Sequence, residues 1–161
     1  MKALNRYSLI SLIFAGAYAS SAMAATVTST VAVSATVVGT CKFTTLGSAI
    51  AFGSLDPSAP SNKTLPATPQ PQFWCTKGTA YTLSDNHGLY GGGGGTTYVM
   101  RGPAVTDNLP YTFTYTTATL GTGAGPSTPV IMDISAQVLG SDYSAVSAGN
   151  YSDTVTLTIT F

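Results

Sequence analysis

Charge is scarce in this chain. Six Lys and Arg, six acidic residues that are all aspartate, and one histidine are spread over 161 positions. The few cations form no stripe, which excludes a nucleic-acid groove or an anionic membrane surface as partner. Without glutamate there is no Glu pair for acid–base work, and with His87 alone there is no His-Glu-x-x-His metal site. No Gly-x-Ser-x-Gly elbow occurs, and the glycine run Gly91–Gly95 lacks the Gly-Lys-Ser/Thr that a phosphate cradle needs. Asp85 and His87 could form half of a catalytic triad, but so close together in a loop they read as turn chemistry. Helical periodicity is missing too: past the N-terminal leader no segment repeats apolar residues at i, i+3, i+4 and i+7 over three turns. The chain is therefore expected to be no enzyme, with no metal and no cofactor.

Long apolar runs are also few. Lys2 and Arg6 precede the short apolar core Leu9–Ala19, and Ala22-Met23-Ala24 offers a small-x-small cleavage site. This is the pattern of a secretory signal peptide over residues 1–24, removed on export. An uncleaved anchor is the plainer alternative, but the run falls short of the roughly 20 apolar residues a spanning helix needs. The membrane is thus expected to matter only through the cleaved leader. The mature chain keeps Lys42, Lys63, Lys77 and Arg101 against six aspartates, a net charge near −2, and is long enough for one domain.

Only two cysteines are present, Cys41 and Cys75. In an exported chain an oxidising compartment favours their pairing. Closing that loop stabilises by roughly 3–4 kcal/mol in the chain-entropy model. A reactive thiol or metal pair has no supporting Cys-x-x-Cys or second histidine.

What the sequence does have is β patterning between Gly/Pro turns. Short strands are expected over residues 42–46, 49–53, 72–75, 79–84, 96–100, 109–116, 130–139 and 151–161. Residues 57–71, with five prolines, read as a loop or edge segment; 85–95 and 120–129 read as loops. The sum is an antiparallel β-sandwich over residues 41–161. Asn62-Lys63-Thr64 and Asn150-Tyr151-Ser152 match the short glycosylation sequon, a pattern that often arises by chance. Trp74, Tyr90, Tyr98 and Tyr111 could stack on sugars, though core packing is the commoner use of such residues.

Two stretches fit this scheme awkwardly. Thr26–Val38 alternates, with Val27, Val31, Val33, Ala35 and Val37 on one face and mostly hydroxyl side chains on the other. At the other terminus Val155, Leu157, Ile159 and Phe161 line one face of a last strand that has nothing after it to cover its edge. An exposed apolar edge is a liability that folds normally hide. Residues 25–40 could fold back into their own sandwich, or fill a neighbour's groove by β-augmentation. The second contact does not close on itself and so builds a fibre.

These residues resemble a known family. The alternation from Val27 to Val37 set before Cys41, the triplet Ala51-Phe52-Gly53, the Cys41–Cys75 pair followed by Thr76-Lys77-Gly78, and the closing Ala148-Gly149-Asn150-Tyr151-Ser152-Asp153-Thr154-Val155 are similar to subunits of archaic (Csu-type) chaperone–usher pili, which carry the spore coat protein U domain. Arg101 resembles that family's arginine before the mid-domain strands, while Tyr111–Thr116 departs from its usual form. The resemblance implies an all-β, incomplete immunoglobulin-like sandwich completed by a donated N-terminal strand. It implies Val27, Val31, Val33, Ala35 and Val37 as the donated side chains. It further implies a periplasmic chaperone, an outer-membrane usher and neighbouring pilus subunits as partners. Export through the periplasm to the cell surface, adhesion and biofilm formation follow from the same likeness. The runner-up is a secreted coat or adhesin protein that binds a surface or glycan through its loops.

Overall fold

The computed structural model describes residues 23–91, 97–115 and 118–161. The expected leader, apart from its last two residues, and most of the glycine run lie outside these. The chain divides into two units, Met1–Ala35 and Thr36–Phe161. In the first, residues 23–35 carry no strand ladder. Among the described residues of the second, ten short strands and one helical turn follow in order: β1 (Cys41–Phe43), β2 (Lys63–Pro66), β3 (Gln72–Cys75), β4 (Ala80–Asp85), β5 (Tyr98–Arg101), β6 (Asn108–Tyr115), β7 (Leu120–Thr122), β8 (Val130–Ile131), β9 (Ile134–Val138), α1 (Gly140–Tyr143) and β10 (Leu157–Thr160).

Among the described residues all ladders are antiparallel, in three sheets with orders β1-β3-β8, β10-β4-β7 and β2-β9-β6-β5. Their inner faces meet in two apolar clusters. One is centred on Phe73, Met132 and Leu83, the other on Val138, Leu109 and Phe52; Ile50 and Phe113 pack against both. Phe73 is fully buried and meets Tyr81 edge-on at 5.0 Å, a favourable aromatic geometry. Period-two patterning explains these placements. In β9, Ile134, Ala136 and Val138 are buried while Ser135 and Gln137 are only half-buried.

Several expected boundaries shift. The single strand expected over 130–139 is two, because Asp133 takes a left-handed backbone (φ 46°) and the chain passes from one sheet to another there. Aspartate tolerates this conformation better than most residues. Residues 120–129, expected to be all loop, begin with β7; the proline-rich segment contains β2, an edge strand that ends on Pro66. A helical turn that periodicity did not foresee, α1, is held by Tyr143, whose hydroxyl accepts from Ser61 N–H (2.7 Å) and donates to Ser61 C=O (3.0 Å). The Cys41–Cys75 disulfide forms across directly opposed residues of β1 and β3.

Candidate functional site

Two stretches that read as strands lie almost wholly outside the sheets. Residues 49–53 make one isolated bridge, Ala49 to Thr68, and residues 151–156 make one, Ser152 to Arg101. Yet residues 151–159 alternate, the odd positions half-buried and the even ones exposed, as a strand on a sandwich edge does. β10 pairs with β4 on one side only.

A slot opens between these two segments. One cavity of about 380 Å³ is walled by Ala49 and Ile50 on one side and by Asp153, Val155 and Leu157 on the other, over a floor that includes Phe113. A second, of about 820 Å³, continues between residues 50–57 and 146–151, with Leu109 and Tyr143 among its lining. Ile50, Phe52, Met100 and Tyr151 line both and so stand between them. The slot is a strip of apolar core left uncovered, flanked by two lengths of backbone with few ladder bonds.

The motif Ala148–Val155 fixes one wall by specific contacts. A side chain at Gly149 would collide with Pro103, and one at Gly102 with Tyr151. The Tyr151 hydroxyl donates to Ser147 C=O at 2.7 Å. Ser152 exchanges two backbone hydrogen bonds with Arg101 (3.0 and 3.1 Å). The Asp153 carboxylate accepts from the Tyr111 hydroxyl (2.7 Å) and from the amides of Leu89 and Thr154 (both 2.8 Å). Asn86 takes both bonds of Thr156, its side-chain oxygen accepting from Thr156 N–H and its own N–H donating to Thr156 C=O. On the facing wall the Lys63 ammonium donates to Phe52 C=O.

A second carboxylate, Asp85, accepts from the hydroxyls of Tyr98 (3.0 Å) and Tyr115 (3.2 Å) and from His87 N–H (2.8 Å). Burial, followed by hydrogen bonding to a carboxylate, pushes the hydroxyls of Tyr98 and Tyr111 well above the ordinary tyrosine range; Tyr115 is raised chiefly by burial. The tyrosines therefore stay neutral donors. Tyr98, Tyr111 and Phe113 form a ring cluster with centroids 5.2–5.4 Å apart, so these aromatics are packing groups. Trp74 is half-buried in β3. Among the described residues no group of three or more His, Cys or Asp side chains could hold a metal.

The predicted site residues fall as follows. Val27, Val31, Val33 and Val37 are 83–94 % exposed, and Ala35 is exposed. Val155 and Leu157 line the slot, Ile159 packs on the first core cluster, and Phe161 is 61 % exposed. Sequence reasoning missed the opposite wall and the partition. Ala49–Gly53 read as an ordinary strand, and Met100 and Tyr111 carried no pattern that pointed to a groove.

A slot-bearing antiparallel sandwich with a disulfide across its first ladder defines the class of protein. A profile of the Spore Coat Protein U domain matches residues 27–158, and the chain belongs to that family. No functionally curated protein matches it significantly. Among solved structures it is similar to the chaperone–tip adhesion subunit pre-assembly complex of archaic chaperone–usher Csu pili from Acinetobacter baumannii, at 21% identity and a TM-score of 0.48. That alignment covers 78% of this chain and 40% of the other.

Proposed function

We propose that the protein is a structural subunit of a surface pilus that polymerises by donor-strand exchange. Residues 25–40 of one subunit fill the slot of the next. One observation carries the reading: three strand-patterned stretches, 26–38, 49–53 and 151–156, lack a continuous ladder. Two of them flank an apolar slot while the third presents a row of exposed valines. A strand from a second copy would give the walls a ladder partner and place the valines over the core.

Burying a valine side chain contributes roughly 1.5–3 kcal/mol, and the ladder bonds that the two walls lack would add to it. The persistence of such a fibre would rest on slow dissociation as well as affinity. Membership of the Spore Coat Protein U family supports the further steps that the resemblance implies. A periplasmic chaperone covers the slot before assembly, an outer-membrane usher catalyses exchange, and the fibre serves adhesion and biofilm formation.

The test compares the mature chain with one lacking residues 25–38 on a sizing column, with and without a synthetic 25–38 peptide. The proposal expects ladders of oligomers from the full chain, and a truncated monomer that the peptide stabilises. A full chain that stays monomeric and simply unfolds on truncation would overturn it, and a secreted coat or adhesin would be the better reading.

A further inference from the structure

We propose that the Met100 sulfur is an oxidation site, open while the slot is empty and closed once a strand fills it, so that peroxide disables unassembled subunits and spares assembled ones; this rests on the donor-strand reading above. Two of the four methionines, Met1 and Met23, fall in the expected leader, which leaves Met100 and Met132 in the mature chain. Their surroundings are opposite. Met132, between β8 and β9, is fully buried in the first core cluster. Met100 sits in β5 opposite Leu109, and alternation puts it with buried Tyr98 on the inner face. There it packs on the second cluster yet stays half-buried, because it lines both cavities of the slot. A water molecule takes about 30 Å³, so cavities of about 380 and 820 Å³ admit a molecule as small as hydrogen peroxide. Both cysteines are tied up in the disulfide, so the Met100 thioether is the sulfur that such an oxidant meets first.

The step is a two-electron oxygen transfer. A sulfur lone pair attacks one peroxide oxygen, the S–O bond forms as the O–O bond breaks, and a proton transfer completes the water that leaves. The thioether is oxidised to the sulfoxide and the peroxide is reduced to water; methionine sulfoxide reductases reverse the change. The product places a polar acceptor where a flexible apolar group stood. In an empty slot water hydrates it. Under a donated strand it is left unpaired, since the side chains of Ile50, Phe52 and Leu109 nearby carry no donor. The inward face of residues 27–37 offers five apolar side chains and a single hydroxyl, on Ser29. A buried polar group without a partner is costly, so oxidation of Met100 weakens strand binding.

The test uses the mature chain carrying Val33→Asp, so that its own strand does not donate, and the native peptide of residues 25–38, which has no sulfur for peroxide to attack. Dilute hydrogen peroxide is added with and without saturating peptide, and mass spectrometry of digests follows each methionine. Met100 of the free chain should take up one oxygen at least about tenfold faster than Met132, and saturating peptide should slow it at least about tenfold. The oxidised chain should bind the peptide at least about tenfold more weakly. A Met100→Leu chain, nearly equal in volume, should bind within about threefold of its parent and keep that affinity after peroxide. If Met100 reacts no faster than Met132, if bound peptide leaves its rate unchanged, if the oxidised chain binds as before, or if the Met100→Leu chain loses as much binding to peroxide, the oxidation site falls while strand donation stands. If the native peptide does not bind at all, both readings fall.

Discussion

Replacing Asp153 by alanine should loosen the wall of the slot. Its carboxylate accepts three hydrogen bonds, from the Tyr111 hydroxyl and the amides of Leu89 and Thr154. The Thr154 amide is on an exposed neighbouring residue and can turn to water, so its loss counts little. The other two tie residues distant in sequence to the segment before β10. Hydrogen bonds to a charged acceptor contribute about 1.5–3 kcal/mol each, and Asp153 is half-buried, so the low end applies. The expected loss for Asp153→Ala is about 3 kcal/mol, or about 10 °C in Tm for a domain of this size. Asp153→Asn keeps one acceptor oxygen and should lose about half as much.

Gly88 sharpens the test. It has φ +81°, and a Cβ there would collide with the Asp153 carboxylate. Gly88→Ala should therefore destabilise on its own by at least about 1 kcal/mol, and less in an Asp153→Ala background, where the obstacle is gone. Reversible urea unfolding of monomeric protein measures all four members of this cycle. If Asp153→Ala costs under about 0.5 kcal/mol, or the two changes are strictly additive, the clasp does not exist as described.

Three further outcomes are expected. Val33→Asp should abolish oligomer formation, since an unpaired charge would enter an apolar slot; normal ladders on a sizing column would refute this. Tyr98, Tyr111 and Tyr115 titrate above the tyrosine value of 10.0, so stability is intact below that pH and falls as pH rises through it. Urea midpoints across that range should show the fall, and Tyr111→Phe should reduce it. Reducing the Cys41–Cys75 bond, which spans a separation of 34 residues, should cost about 3–4 kcal/mol, read as a drop in the urea midpoint with a steeper slope as the unfolded chain is released.

Most of the sandwich was legible because its strands obey a simple period. In β4, Tyr81 and Leu83 are buried and Ala80, Thr82 and Ser84 are exposed, as alternation requires. The failures have identifiable causes. Local pattern cannot show that Asp133 takes a left-handed turn and divides one long run between two sheets, nor that a three-residue strand hides among the glycines of 120–129. The most informative mismatch lies at Ala49–Gly53 and 151–156. Their side chains do what strand patterning says, with Ile50, Phe52, Val155 and the half-buried odd positions turned inward. What they lack is a continuous backbone partner, and a strand is defined by its partner as much as by its own sequence. The Tyr111–Asp153 hydrogen bond joins residues 42 positions apart, and the slot's lining runs from Ser48 to Leu157, which no window of sequence reveals. By contrast the disulfide was foreseeable from compartment and cysteine number alone.

Hydrogen–deuterium exchange on oligomers of the full chain, compared with the chain lacking residues 25–38, tests strand donation most directly. Residues 151–161 and 48–55 carry the amides that a donated strand would pair or cover. Donation predicts that both segments exchange slowly in the oligomer and quickly in the truncated chain, and that the 25–38 peptide restores the protection. If both segments exchange equally fast in the oligomer and the truncated chain, the slot is not where subunits join.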